Sequence, residues 1–160
     1  MTRQLNRSDL VEIFKSKELK SWLLENNDVF KVNFSEERTL QAYLVSYLLS
    51  VLFSDESEFT KELICVEAPQ LNGKSPDLAF LDPIDLTRAR IWIEIKAFFE
   101  ESINLKKIEK DCKKMSNDGI EKIQEKIMLV LATNASSIRG DIELLSAEYR
   151  EIQMVVVSLD

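Results

Sequence analysis

The chain of 160 residues contains no histidine. That absence removes Ser-His-Asp and Cys-His catalysis and most zinc sites, all of which lean on imidazole. Acid–base or metal chemistry must then come from Asp, Glu, Lys or Tyr. Cysteine is scarce as well. Cys65 and Cys112 stand within apolar patterns and not at a paired spacing, so they read as reduced core thiols of a cytoplasmic protein. No run approaches the roughly 20 apolar residues that span a bilayer, so no membrane contact is expected. Met1 to Asp9 carries Arg3 and Arg7 with no apolar run behind them, unlike a secretory signal. Positive charge is in deficit, with 21 basic residues against 28 acidic ones and a net charge of −7. Such a balance opposes wrapping by nucleic acid, since phosphate neutralisation drives that binding. Local clusters still decide where an anion can dock.

What is present suits one domain, 1–160, with a core at 35–160 and a helical extension at 1–30. Apolar residues make up 45% and charged residues 31%, enough for a real core at this length. Ser8 is an N-cap candidate for a helix in which Leu10, Val11, Phe14, Leu19, Trp22 and Leu23 recur at helical spacing to about Glu25. Asn26-Asn27-Asp28 breaks it. Ser35 is the next cap candidate, ahead of a helix from Glu36 to about Phe53 that is apolar over a wide arc. Strands are expected over Glu62–Glu67, Asp77–Leu81 and Ile91–Phe98. The first gap holds Pro69, Asn72 and Gly73, the second Pro83. A helix over about Ser102–Ser116, closed by Asn117-Asp118-Gly119, leads to a strand Ile127–Ala132, a helix over about Ile138–Tyr149 and a strand Ile152–Ser158. Strands in a run and then in alternation with helices imply a central mixed sheet covered on both faces.

The segment from Arg90 to Phe98 is the most informative. On a strand, Ile91, Ile93, Ile95 and Ala97 share one face, and Trp92, Glu94, Lys96 and Phe98 share the other. A solvated outer face would expose Trp92 and Phe98 too. Buried charges, the other reading, need a partner or a metal. A symmetric hairpin centred near Asp85 and Leu86 would set Asp77 opposite Glu94. Opposed like charges destabilise a sheet unless something positive lies between them; Lys96 meets that need in part, and a divalent cation meets it better.

Pro76-Asp77 followed by Glu94-Ile95-Lys96 resembles the PD-(D/E)XK signature of restriction-endonuclease-like nucleases. Glu18-Leu19-Lys20 and Asp111-Cys112-Lys113 also fit the tripeptide, but both fall on helices. The order of elements from Ser35 onward is similar to that fold's core as well. The resemblance implies that Asp77 and Glu94, with the Ile95 carbonyl, hold Mg²⁺ or Mn²⁺, hard ions suited to oxygen ligands. It implies that Lys96 orients or deprotonates the attacking water. It also implies a further acid from the first core helix, for which Glu36 and Glu37 are available. Glu37 is preferred because Glu37-Arg38 precedes the apolar run, as in similar family segments. A first-turn glutamate is equally what the helix dipole favours. Glu67, closing its strand, is another acid within reach.

Lys106, Lys107, Lys110, Lys113 and Lys114 gather opposite the stripe of Leu105, Ile108, Cys112 and Met115. They are either a solvated face or the phosphate-contacting face of the protein. Lys106, Lys110 and Lys113 are the residues expected to bind nucleic acid, DNA ahead of RNA, with Arg88 and Arg90 as weaker candidates. With no room for a separate recognition domain, a double-strand cutter is expected to work as a homodimer or with a recruiting protein. The function expected is therefore a metal-dependent nuclease. The alternative is a non-catalytic binding or regulatory protein that keeps the fold.

Overall fold

The computed structural model describes residues 1–26, 36–67, 75–98, 103–116 and 125–160. The expectations placed on Asn27, Asp28, Ser35, Pro69, Asn72, Gly73, Ser102 and 117–119 lie outside the described residues, as do the side chains of Glu36 and Glu37. The elements run α1 (Arg7–Lys15), α2 (Lys17–Glu25), α3 (Glu36–Leu52), β1 (Ile64–Val66), β2 (Leu78–Leu81), β3 (Ala89–Phe98), α4 (Leu105–Ser116), β4 (Glu125–Ala132), a 3₁₀ turn (Ala135–Ile138), α5 (Arg139–Glu148) and β5 (Ile152–Ser158). The protein is an α/β structure around one five-stranded mixed sheet in the order β1-β2-β3-β4-β5. Strands β1, β2 and β3 form an antiparallel meander, while β3, β4 and β5 run parallel. The parallel half needs covered faces, and its strands are accordingly apolar almost throughout.

One sheet face carries Leu78, Phe80, Ile91, Ile93, Ile95, Ile127, Leu129, Leu131 and Val155 against α1, α2 and α3. Helix α3 presents a single row, Leu40, Leu44, Leu48 and Leu52, all buried, because positions four apart lie above one another on a helix. Trp22 of α2 seats between Tyr43 and Tyr47 of α3, with ring centroids 5.4 Å and 5.5 Å away. The other face carries Ala79, Trp92, Phe98, Met128 and Val130 against Ile108, Cys112 and Met115 of α4 and Ile142 of α5. The alternation expected along β3 is thus the observed one, and neither of its faces is a solvated outer face.

The N-terminal region departs from its expected single helix. Asn6, not Ser8, caps α1 through a reciprocal box with Asp9, satisfying two amides that the helix start leaves without partners. Ser16 adopts an extended conformation and its hydroxyl accepts from the Leu19 amide, so one serine ends α1 and starts α2. Local side-chain capping outcompetes a continuous helix there. Leu5, Leu10, Phe14, Leu19 and Leu23 are buried in the same cluster as the sheet, so this segment belongs to the core and is no appendage. Strand β1 is shorter than expected, and Glu62 lies outside it. The last helix begins as a 3₁₀ turn, with Asn134 in the left-handed conformation (φ 63°) at its entry, a conformation that asparagine tolerates better than most residues.

A buried latch holds the N-terminus. The Leu5 amide donates to Glu62, Arg90 donates to Glu62 at 2.7 Å, and a second nitrogen of Arg90 donates to the Leu5 carbonyl at 2.5 Å. Arg90 therefore has a structural role. Removing the carboxylate leaves a nearly buried guanidinium with no counter-charge and the Leu5 amide without its acceptor. Glu62→Ala should destabilise the protein by about 3 kcal/mol, with a smaller effect when Arg90→Met is added. Urea unfolding of the two single variants and the double variant measures both quantities, and an additive pair would show that no latch exists.

Candidate functional site

The site forms where β3 outlasts β2. Pairing runs Leu78 with Ile93, Ala79 with Trp92 and Phe80 with Ile91, the register expected from a symmetric hairpin. Continued by one residue, it sets Asp77 against Glu94. The irregularity in the ladder lies between Phe80 and Leu81, on the far side from the site. Beyond Leu78, the first residue of β2, the Ile95 amide donates to Asp77 Oδ2 at 2.7 Å. A strand residue directs its N–H and C=O to the same neighbour, so the Ile95 carbonyl faces the Asp77 side as well. The Asp77 carbonyl in turn accepts from the Glu67 amide at 3.0 Å.

Glu94 points to the opposite sheet face from Ile93 and Ile95 and lies beneath α4, with 1% of its surface exposed. Its Oε1 accepts from Trp92 Nε1 at 2.6 Å and from Lys114 Nζ at 2.8 Å. Burial disfavours its charged form, and the neighbouring Asp77 carboxylate does so further. The donors Lys114 and Trp92 act the other way, and the carboxyl is pushed up to about 7. Lys96, two residues on and on the same face, pairs with Asp111 of α4 at 2.9 Å, both side chains largely covered. Helix α4 therefore answers both charges of the Glu-x-Lys strand with charges of its own.

Two of these partners are not evident from the sequence. Lys114, expected on the outward lysine face, instead reaches Glu94, the Ser75 carbonyl at 2.9 Å and the Trp92 ring at 5.7 Å. Its long stem lets the ammonium extend from the flank of the stripe to the sheet end. Asp111 borders the buried stripe directly, four residues before Met115, and so faces β3. The pattern that could have found them is an acid and a lysine three apart on one flank of the helix that follows an acid and a lysine two apart on a strand.

The other expected residues divide as follows. Lys106, Lys107 and Lys110 are exposed on the outer side of α4. Lys113 is exposed too and pairs with Glu109 one turn back at 2.6 Å, an arrangement common on solvated helices. Glu67 lies beside Asp77 in the chain path but sends its carboxylate to Arg38 of α3, 3.3 Å away. Its left-handed backbone (φ 44°) marks the strand end. Asp82 and Asp85 cap turns of the distal hairpin loop, as loop residues do. Arg88 pairs there with Asp85.

As a metal site the donor set is minimal. Among the described residues no group of three or more His, Cys, Asp or Glu side chains is placed to hold an ion. Asp77, Glu94 and the Ile95 carbonyl are hard oxygen donors, and Mg²⁺ is commonly held by one or two carboxylates with the remainder supplied by water and phosphate. By the chemistry of these donors the residues fit such an ion. Among the described residues no helix is long and apolar enough to cross a membrane. Comparison with protein-family models, with curated proteins and with solved structures returns no significant match.

The raised carboxyl has a consequence for stability. Between the ordinary glutamate range and about pH 7 the folded state holds a proton that the unfolded chain has released. Stability must then fall as pH rises through that window. Chemical denaturation of the metal-free protein at successive pH values should show this decline, and Glu94→Gln should flatten it. Asp77→Asn should bring the Glu94 carboxyl down, because it removes a neighbouring negative charge; carbon-detected NMR titration reads the shift. A Glu94 carboxyl that does not move in Asp77→Asn would mean that the two groups do not interact.

Proposed function

We propose that the protein is a metal-dependent nuclease of the restriction-endonuclease-like kind, hydrolysing phosphodiester bonds in DNA ahead of RNA. The observation that supports this most is the placement of Asp77 and Glu94 against each other at the open end of the β2–β3 ladder, with Lys96 one step further along the same face. The helix–meander–helix–strand order in a mixed sheet is compatible with that fold. In this reading Asp77, Glu94 and the Ile95 carbonyl hold Mg²⁺ or Mn²⁺, and Glu37 of α3 is the candidate for a further acid. A bound divalent ion lowers the pKa of its water and offsets charge on the phosphate. Lys96 would orient or help deprotonate the attacking water and stabilise charge on the phosphate, with Asp111 directing its ammonium. Lys106, Lys110 and Lys113 supply phosphate contacts along α4, a local basic strip on an acidic protein.

A specific observation favours the alternative, a non-catalytic binding protein: both charges of the Glu-x-Lys strand are already paired within the chain, by Lys114 and Asp111. The two readings part in one experiment. Asp77→Ala and Glu94→Ala should each abolish both cleavage of a DNA panel and Mn²⁺-dependent thermal stabilisation. Lys96→Ala should reduce cleavage by at least about a hundredfold while Mn²⁺ still stabilises the fold. Wild-type protein that neither cleaves nor responds to Mn²⁺ would leave the charges as structural ion pairs.

The basic strip has its own test. Charge reversal at Lys110 and Lys113 should weaken DNA binding without unfolding the protein. It should also reduce the logarithmic salt slope by about 0.9 for each phosphate that is no longer neutralised. An unchanged slope returns these lysines to a solvated helix face.

A further inference from the structure

The position of Lys114 carries a consequence for how a cation enters the site, one that rests on the metal reading above. Its Nζ lies 2.8 Å from Glu94 Oε1 and 2.9 Å from the Ser75 carbonyl oxygen. The Trp92 ring, whose own Nε1 binds the same Oε1, stands with its centroid 5.7 Å from the ammonium. Oxygen donors and an aromatic face together make an ammonium site of the kind that desolvated cations occupy. One of those donors is a carboxylate oxygen of Glu94, assigned above to the metal. An ammonium and a divalent ion cannot share it at hydrogen-bond distance, because their charges repel strongly in a covered site.

We propose that Lys114 is the resident counter-cation of this site: it holds Glu94 while no metal is bound, and a divalent ion must displace it to bind. Displacement is sterically open. The side chain is 32% exposed, against 2% for Glu94, and its flexible stem can carry the ammonium into solvent without moving α4. The acid cannot leave in its place, being anchored on a central strand under Trp92. Lys114 therefore keeps the acidic pair compatible with a folded, metal-free protein and, by the same interaction, lowers its affinity for the ion. Lys96, by contrast, pairs with Asp111 of the same helix.

The test is a Mn²⁺ titration of the intact protein, by calorimetry and by the EPR signal of free Mn²⁺, at one pH and ionic strength. Lys114→Met keeps the stem over Trp92 and removes the charge. It should bind Mn²⁺ at least about tenfold more tightly than wild type, and Lys114→Arg should stay close to wild type. A mere loss of structure would weaken binding, so tightening cannot arise from damage; far-UV circular dichroism confirms that each variant is folded. Glu94→Ala should lose the ion in either background. Wild-type binding with no gain in Lys114→Met overturns the counter-cation role and leaves the metal site standing. Absence of Mn²⁺ binding in both wild type and Lys114→Met overturns both.

Discussion

Two carboxylates held face to face by the β2–β3 ladder impose the condition that the surrounding structure has to meet. The ladder fixes their separation through backbone hydrogen bonds, so neither acid can retreat as a surface side chain would. Asp77 is partly relieved because the Ile95 amide donates to it. Glu94, beneath α4, is relieved by Trp92 and Lys114. Helix α4 can be understood from this constraint: its apolar stripe closes the sheet, and its flank supplies the charges that the buried strand lacks. Burial, with the Asp77 charge behind it, keeps the Glu94 carboxyl raised in spite of these donors.

Much of this arrangement is legible in the residues. Alternation along Arg90–Phe98 assigns the two faces of β3, because the period of a strand admits only two choices. The spacing between Asp77 and Glu94, together with the symmetry of the hairpin, yields the pairing register, and the pattern over Ile152–Ser158 marks the last strand with its boundaries. What is not legible is of two kinds. The division of the N-terminal region at Ser16 depends on a single hydroxyl choosing an amide over continued helix, a contest that periodicity does not register. The contributions of Asp111 and Lys114 depend on how α4 is rotated over β3. A stripe of apolar residues sets that rotation only to within a side chain's reach, and a lysine on the flank can go either way.

The chemistry follows the same division. The acids and Lys96 are visible as a motif, whereas the state in which the chain holds them is not. Lys96 against Asp111 and Lys114 against Glu94 form two ion pairs side by side under one helix. Buried pairs of this kind contribute little to net stability and much to specifying one arrangement. Both pairs are compatible with the observed rotation of α4 over β3.

The irregularity between Phe80 and Leu81 has an effect at the opposite end of the molecule from the acids. Leu81 pairs with Ala89, whereas Phe80 pairs with Ile91, so Arg90 is the residue left over. Extra residues of this kind re-aim a side chain. Arg90 leaves the alternation that would have carried it under the α4 face and reaches Leu5 and Glu62 instead. A one-residue deletion at that point would tidy the ladder and, in the same stroke, unfasten the first residues of the chain. Hairpin tips usually tolerate changes of length. Here a change of length leaves Arg90 in place only on the loop side of Ala89, where β3 begins.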